Sequence, residues 1–315
     1  MKNVSRLMHS PASKTTNLHA YFSALSWSLL MASSFIVSAW ITDYASPLAV
    51  TFLRFLFALI VMTPVYFWQR RRSATPLFTG IKAGLKMLLV SAGLVGFFVC
   101  LFTALATTSA LNTSVLYTLV PLIGAALGSL LGVQTASKQW QGFILGSLGA
   151  ITVLMLRSDA SLQWHIGDVI YLFGCFLLAF HVVAVQRWCR EYTPFGGAYR
   201  IMLLGTVLLL PLVLSFGDLA AIQWQSGEFQ GMLSYLTLGT TLATFVLQQR
   251  VIITGGAGML LGVSYIIPVW VACYGVLSGS ILTIVSPGFI TGVVMILLAQ
   301  WLISNSNRKQ VNLHG

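Results

Sequence analysis

Three ionisable side chains stand inside long apolar runs: Arg54, His181 and Arg200. Charge in such surroundings is costly, so residues of this kind default to substrate or ion pathways. Arg54 lies about seven residues, or roughly 10 Å at helical rise, inside one end of its run, and Arg200 lies similarly inside one end of its own. A guanidinium can snorkel that far or pair with helix-end carbonyls; it can also attract or gate an anionic group. Both readings stand for each arginine. His181 is remote from other titratable groups, and no carboxylate lies deep in any run. If the protein moves protons, His181 is the best internal candidate because imidazole titrates near neutrality. The bland alternative is a hydrogen-bonded core histidine.

Uncharged polar residues add a second pattern. At about 100° per residue, Ser23, Trp27, Ser34 and Ser38 share one helical face, and Thr237, Thr241, Thr244 and Gln248 share another. Such stripes face protein or water, and they serve either a wet cavity or interhelical packing. Trp27, Tyr117 and Tyr265 are candidate aromatic walls. Pro121 and Pro268 fall near the middle of two apolar runs, where each removes a backbone donor and is expected to kink its helix beside the path. Cavity candidates are thus Trp27, Ser34, Tyr117, His181, Thr241, Thr244, Gln248 and Tyr265, with Arg54 and Arg200 as charge or gating residues. No HExxH, GxSxG, GxxxxGK[ST] or buried acid pair occurs, so neither an enzyme nor an ATP-driven pump is expected, and no metal or cofactor.

The elements that must hold these groups are membrane spans. The 315 residues are 57% hydrophobic and only 7% charged, against roughly 25% charged in a soluble domain. Ten apolar runs, each near the length of about 20 residues needed to cross a bilayer, are predicted at 18–40, 47–68, 83–106, 110–133, 140–157, 167–187, 194–216, 230–252, 256–280 and 284–304. The first is too long for the apolar core of a signal peptide and is expected to be retained. Cys100, Cys175, Cys189 and Cys273 form no CxxC pair and read as small hydrophobes.

Lys and Arg set the orientation, because cytoplasmic loops retain positive charge. With the N-terminus inside, all loop and tail cations but Arg157 fall on the cytoplasmic side, while Asp43, Asp159, Asp168, Asp218 and Glu228 fall outside and Glu191 inside. Both termini are predicted cytoplasmic. The net charge of +11 follows from this topology and implies no nucleic-acid partner.

The chain also repeats itself. Pro47, Pro64 and Pro121 recur as Pro194, Pro211 and Pro268, each displaced by 147 residues, and Arg54 recurs as Arg200 one residue out of step. His181 is the mate of Ser34. Gly128 and Gly132 recur as Gly275 and Gly279, and Gly142 and Gly146 as Gly288 and Gly292. These small-residue steps let helices approach, within one chain rather than at a dimer face by preference. Two copies of a five-span unit, residues 18–157 and 167–304 between tails 1–17 and 305–315, must enter the membrane from opposite sides because five is odd. Inverted repeats mark secondary transporters.

Ten spans in two halves, Ser46-Pro47 through Arg54-Phe55 to Pro64 in the second, and Leu119-Val120-Pro121 before Leu131-Gly132 in the fourth, resemble the EamA type of the drug/metabolite transporter superfamily. The resemblance covers about residues 18–304. It implies an all-α inner-membrane carrier working by alternating access, commonly an exporter of amino acids or related metabolites, with a central cavity. Two departures stand out: Leu131-Gly132-Val133 and Ser278-Gly279-Ser280 replace the Leu-Gly-Glu found in many members. A permease for drugs, cationic compounds, sugars or nucleosides on the same fold, and a passive uniporter or channel, remain open. So do proton coupling and the choice of monomer or homodimer.

Overall fold

The computed structural model describes residues 14–70, 77–78, 80–130, 135–155, 165–189, 192–255, 257–279 and 287–313. Residues 1–13, Arg157, Asp159, Glu191, Leu131-Gly132-Val133, Ser280 and the last two residues lie outside the described ones, so the expectations placed on them have no structural counterpart here.

The described residues are helical, without strands. The helices are α1 (Lys14–Ile41), α2 (Pro47–Arg70), α3 (Ile81–Leu105), α4 (Ala110–Tyr117), α5 (Val120–Leu130), α6 (Ser137–Met155), α7 (Ile166–Trp188) and α8 (Pro194–Phe216). There follow α9 (Gly227–Ser234), a π-helical segment Tyr235–Ala243, α10 (Thr244–Gly255), α11 (Ala257–Ser264), α12 (Ile267–Leu277) and α13 (Pro287–Leu313). Most described residues of each predicted apolar run are helical, as expected where lipid offers backbone groups no partner. Seven helical stretches are long and apolar enough to cross a membrane: Tyr21–Ile41, Pro47–Arg70, Ile81–Leu105, Ala110–Leu130, Ile166–Trp188, Pro194–Phe216 and Met259–Leu277. A shorter apolar helix, Pro287–Ile303, adds to these.

Short polar residues start the helices. Ser109 accepts from the Asn112 amide, Thr193 from Gly196 and Ser226 from Phe229, capping α4, α8 and α9. His165 and Asp168 form a reciprocal capping box on α7, where Asp168 also accepts from the Thr108 hydroxyl. The outer surface is apolar, with Phe22, Leu29, Phe67, Val207, Leu214 and Leu297 exposed, and Trp40, Trp68 and Trp301 exposed near the ends of apolar helical stretches, as aromatic belts require.

Packing pairs elements across the chain: α6 with α13, α3 with α7, α2 with α8 and α1 with α10. Small residues allow the closest of these. A Cβ on Gly149 would lie 2.9 Å from the Gly292 carbonyl oxygen, and one on Gly142 would lie 3.1 Å from that of Ala299, so α6 and α13 touch backbone to backbone. Gly124 has open space beside it instead.

The two mid-run prolines sit just after breaks in the helical ladder, Pro121 in the first turn of α5 and Pro268 in that of α12. The breaks tighten to i→i+3 bonds, Leu119 N to Leu116 O at 3.0 Å and Ile266 N to Val263 O at 3.0 Å. Proline is tolerated at a helix start because the amide it lacks has no partner there. At the first break the Ser147 hydroxyl donates to the Thr118 carbonyl at 3.3 Å.

Candidate functional site

A cavity of about 810 Å³ runs between the helices, within the size range of small-molecule sites. Its deep wall carries Trp27, Ser34 and Phe35 of α1, Arg54 of α2, Phe97 and Phe98 of α3, Tyr117 of α4 and Pro121 of α5. His181 of α7, Thr240 and Thr241 of the π-helical segment, and Thr244 and Gln248 of α10 complete it. From there it extends to Gln139, Gln186, Tyr192 and Thr193, at the end of the molecule that carries Lys82, Lys138 and Arg187. The described lining contains Arg54 and His181 and neither Asp nor Glu.

Arg54 is 3% exposed. Its Nε donates to Thr241 Oγ1 at 2.7 Å, and Nη2 donates to Thr240 Oγ1 at 3.0 Å and to the Thr240 carbonyl at 3.3 Å. Both hydroxyls spend their own proton on the Leu236 carbonyl, Thr240 at 3.0 Å and Thr241 at 2.9 Å, which leaves their lone pairs for the guanidinium. The five-residue reach of Thr241 back to Leu236 belongs to the π-helical backbone, a rare geometry that clusters at functional sites. The Arg54 Cζ lies 4.5 Å from the centroid of the Phe98 ring, a cation–π contact. Nη1 is buried with no acceptor among the described residues, and so is Trp27 Nε1.

His181 bridges α7 to α3, with Nδ1 2.8 Å from the Val90 carbonyl oxygen. A carbonyl only accepts, so Nδ1 carries the proton and Nε2 is left to take one up. The Phe35 and Tyr117 rings meet edge to face at 5.5 Å, forming an aromatic corner.

The structure therefore gathers Trp27, Ser34, Arg54, Tyr117, Pro121, His181, Thr241, Thr244 and Gln248 around one space. Three predicted residues lie elsewhere. Tyr265 is fully buried, donates to the Phe143 carbonyl at 3.1 Å and fills the gap beside Gly146. Pro268 is buried in the first turn of α12. Arg200 is fastened by donating to the Leu77 carbonyl and, at 2.7 Å, to that of Gly196, with Cζ 4.4 Å from the centroid of the Tyr192 ring. Thr240 and Phe98 were missed in the sequence: Thr240 lies off the helical stripe, and only the wider π-turn sets its hydroxyl beside that of Thr241.

At the opposite end, which carries Asp43, Asp218 and Glu228, segments from far apart in sequence are tied together. The Tyr44 hydroxyl donates to Glu228 and the Ser46 hydroxyl to the Gly217 carbonyl. The Gln223 amide donates to the Tyr44 carbonyl at 3.1 Å, and its side chain to the Asp43 carbonyl at 3.3 Å. Deeper down, the Ser33 and Tyr235 hydroxyls lie 2.6 Å apart.

This arrangement, a cavity among apolar helices with broken helices on its wall, can be compared with known proteins. Residues 18–155 match the EamA-like transporter family. This stretch is similar to that family. EamA-like proteins are membrane transporters and not enzymes. With seven helical stretches among its described residues long and apolar enough to cross a membrane, this chain is a multi-pass membrane protein. An uncharacterized transporter of Bacillus subtilis (strain 168), YyaM, is 24% identical over 198 residues, 62% of this chain. The chain spans 64% of that relative's length. A solved crystal structure at 17% identity aligns over 94% of this chain and 98% of its own, with a TM-score of 0.66, a likeness of fold.

Proposed function

We propose that this EamA-like protein is a secondary active transporter that moves small metabolites by alternating access, exporting amino acids or related compounds. The observation that carries the reading is a cavity lined by residues from both halves of the chain, reaching one end of the molecule while described contacts tie the other end together. Such asymmetry is what one state of an alternating-access cycle requires.

Ten spans in two inverted five-helix repeats, residues 18–157 and 167–304, underlie the mechanism. The helix pairs support this. Under exchange of the halves, α3 with α7 maps onto α10 with α1, while α2 with α8 and α6 with α13 map onto themselves. The paired breaks before Pro121 and Pro268 follow the same rule. By the charge bias of the loops, the basic end and both termini are cytoplasmic, in an inner membrane, and the cavity faces inward. Where transport is driven by protons, His181 Nε2 is the titrating group. The path lies within one chain.

Counterflow tests the proposal. Liposomes holding the full chain are loaded with one unlabelled amino acid at a time and scored for transient accumulation of the same labelled compound. Accumulation establishes a carrier and its class. Absence across amino acids with accumulation of a sugar, nucleoside or cationic drug would replace the substrate, and steady conductance without counterflow would make the protein a channel.

A further inference from the structure

Of the two buried arginines, one is fully engaged in holding the fold and the other is not. Arg54 lies on the cavity wall with Nε and Nη2 fixed by Thr240 and Thr241, its plane set against Phe98, and Nη1 without an acceptor among the described residues. Among the described residues no acid pairs with Arg54, and the described lining holds no Asp or Glu. The second unpartnered donor on this wall, Trp27 Nε1, also calls for an acceptor. A buried guanidinium with an unmade hydrogen bond and no counter-charge is costly unless an anion completes it. The same wall carries the rings of Phe35, Phe97, Phe98 and Tyr117 beside it.

We propose that Arg54 is the anion handle of the cavity and binds the carboxylate of a substrate whose apolar body lies against Trp27, Phe97, Phe98 and Tyr117. Thr240 and Thr241 orient the fork, and Nη1 supplies the charge-assisted bond. A cation is excluded, because the same wall offers it a fixed like charge. The inference rests on the transport reading only in taking the cavity as the substrate path; the binding itself does not depend on turnover.

The test uses three probes with one phenylethyl body: 3-phenylpropionate, phenylalanine and phenethylamine. Each is titrated into the purified full chain in detergent, and the shift of its thermal transition is followed. The two carboxylates are expected to bind at least about tenfold more tightly than the amine, as loss of a charged hydrogen bond implies. Arg54→Gln is expected to erase the difference, Arg54→Lys to keep the anion preference at lower affinity, and Arg200→Gln to lower the transition while keeping the ranking. Equal binding of phenethylamine, an unchanged ranking in Arg54→Gln, or no binding of any probe by the parent would overturn the proposal. Where Arg54→Gln does not fold, the parent's ranking and Arg54→Lys decide. Counterflow on the parent separates the two claims. Arg54-dependent carboxylate binding without counterflow removes transport and leaves the handle. Counterflow of the amine with no preference for carboxylate removes the handle and leaves transport.

Discussion

Arg54 Nε lies 2.7 Å from Thr241 Oγ1, and the two residues stand 187 positions apart. The bond fastens the second helix of the first half to the π-helical segment of the second half, at the deep wall of the cavity. Any movement of α2 against that segment must therefore either carry this contact along or break it.

Thr241→Val removes the acceptor and leaves a buried Nε unsatisfied. The expected result is a loss of about 1–3 kcal/mol of stability, read as a lower thermal transition in detergent, with weaker binding of 3-phenylpropionate. A transition equal to the parent's would show that the bond does not hold the halves together.

Gly149→Ala places a methyl 2.9 Å from the Gly292 carbonyl oxygen and 2.8 Å from Met295 Cβ, where backbone cannot yield. Overpacking of this kind costs about 1–3 kcal/mol. The same change at Gly124, which has nothing within 4 Å, is expected to leave the transition where it is. Equal effects at the two glycines would contradict the backbone contact of α6 with α13.

Pro121→Ala restores an amide that can close the helix across Thr118 and Leu119. Folding should survive, and the thermal transition should hold or rise, while the counterflow rate falls. A parent-like rate would mean that the break is dispensable.

His181→Gln keeps a donor for the Val90 carbonyl but cannot titrate. Counterflow without a pH gradient is expected to persist, and stimulation by an imposed gradient to disappear. Stimulation that survives in the variant would place the coupling elsewhere.

The tie between Tyr44 and Glu228 closes the acidic end. Tyr44 lies outside the spans, and its hydroxyl, by donating to Glu228 and standing near Asp43, holds its proton above the usual value of 10. The contact is therefore fully present below pH 10 and is lost as pH rises through the raised value. Tyr44→Phe at neutral pH should reproduce that loss. In a background freed of native cysteines, a cysteine at Ser33 is then expected to react faster with a thiol reagent added from the acidic side. An unchanged rate would remove Tyr44 from the closure.

Much was legible in the sequence because the bilayer imposes simple rules. A chain with 7% charge and long apolar runs must satisfy its backbone in helices, and helix bounds follow from Pro47, Pro194 and the capping residues near them. The stripes on the first and eighth runs also named Trp27, Ser34, Thr241, Thr244 and Gln248 of the cavity wall, since a 100° periodicity fixes which side chains share a face. That periodicity fails where the helix itself changes. The π-helical turn brought Thr240 beside Thr241, and Tyr265, next to the break before Pro268, lies outside the cavity lining. The sequence treated Arg54 and Arg200 as equivalent repeat mates, because like positions in two copies carry like residues. Tertiary structure separated them: Leu77 and Gly196 supply carbonyls to Arg200, while Arg54 meets only two hydroxyls and one carbonyl and keeps Nη1 unpaired. Local sequence sets a side chain's type and face, but its partners come from segments far away, and these are chosen by how the two halves pack in one state of the molecule.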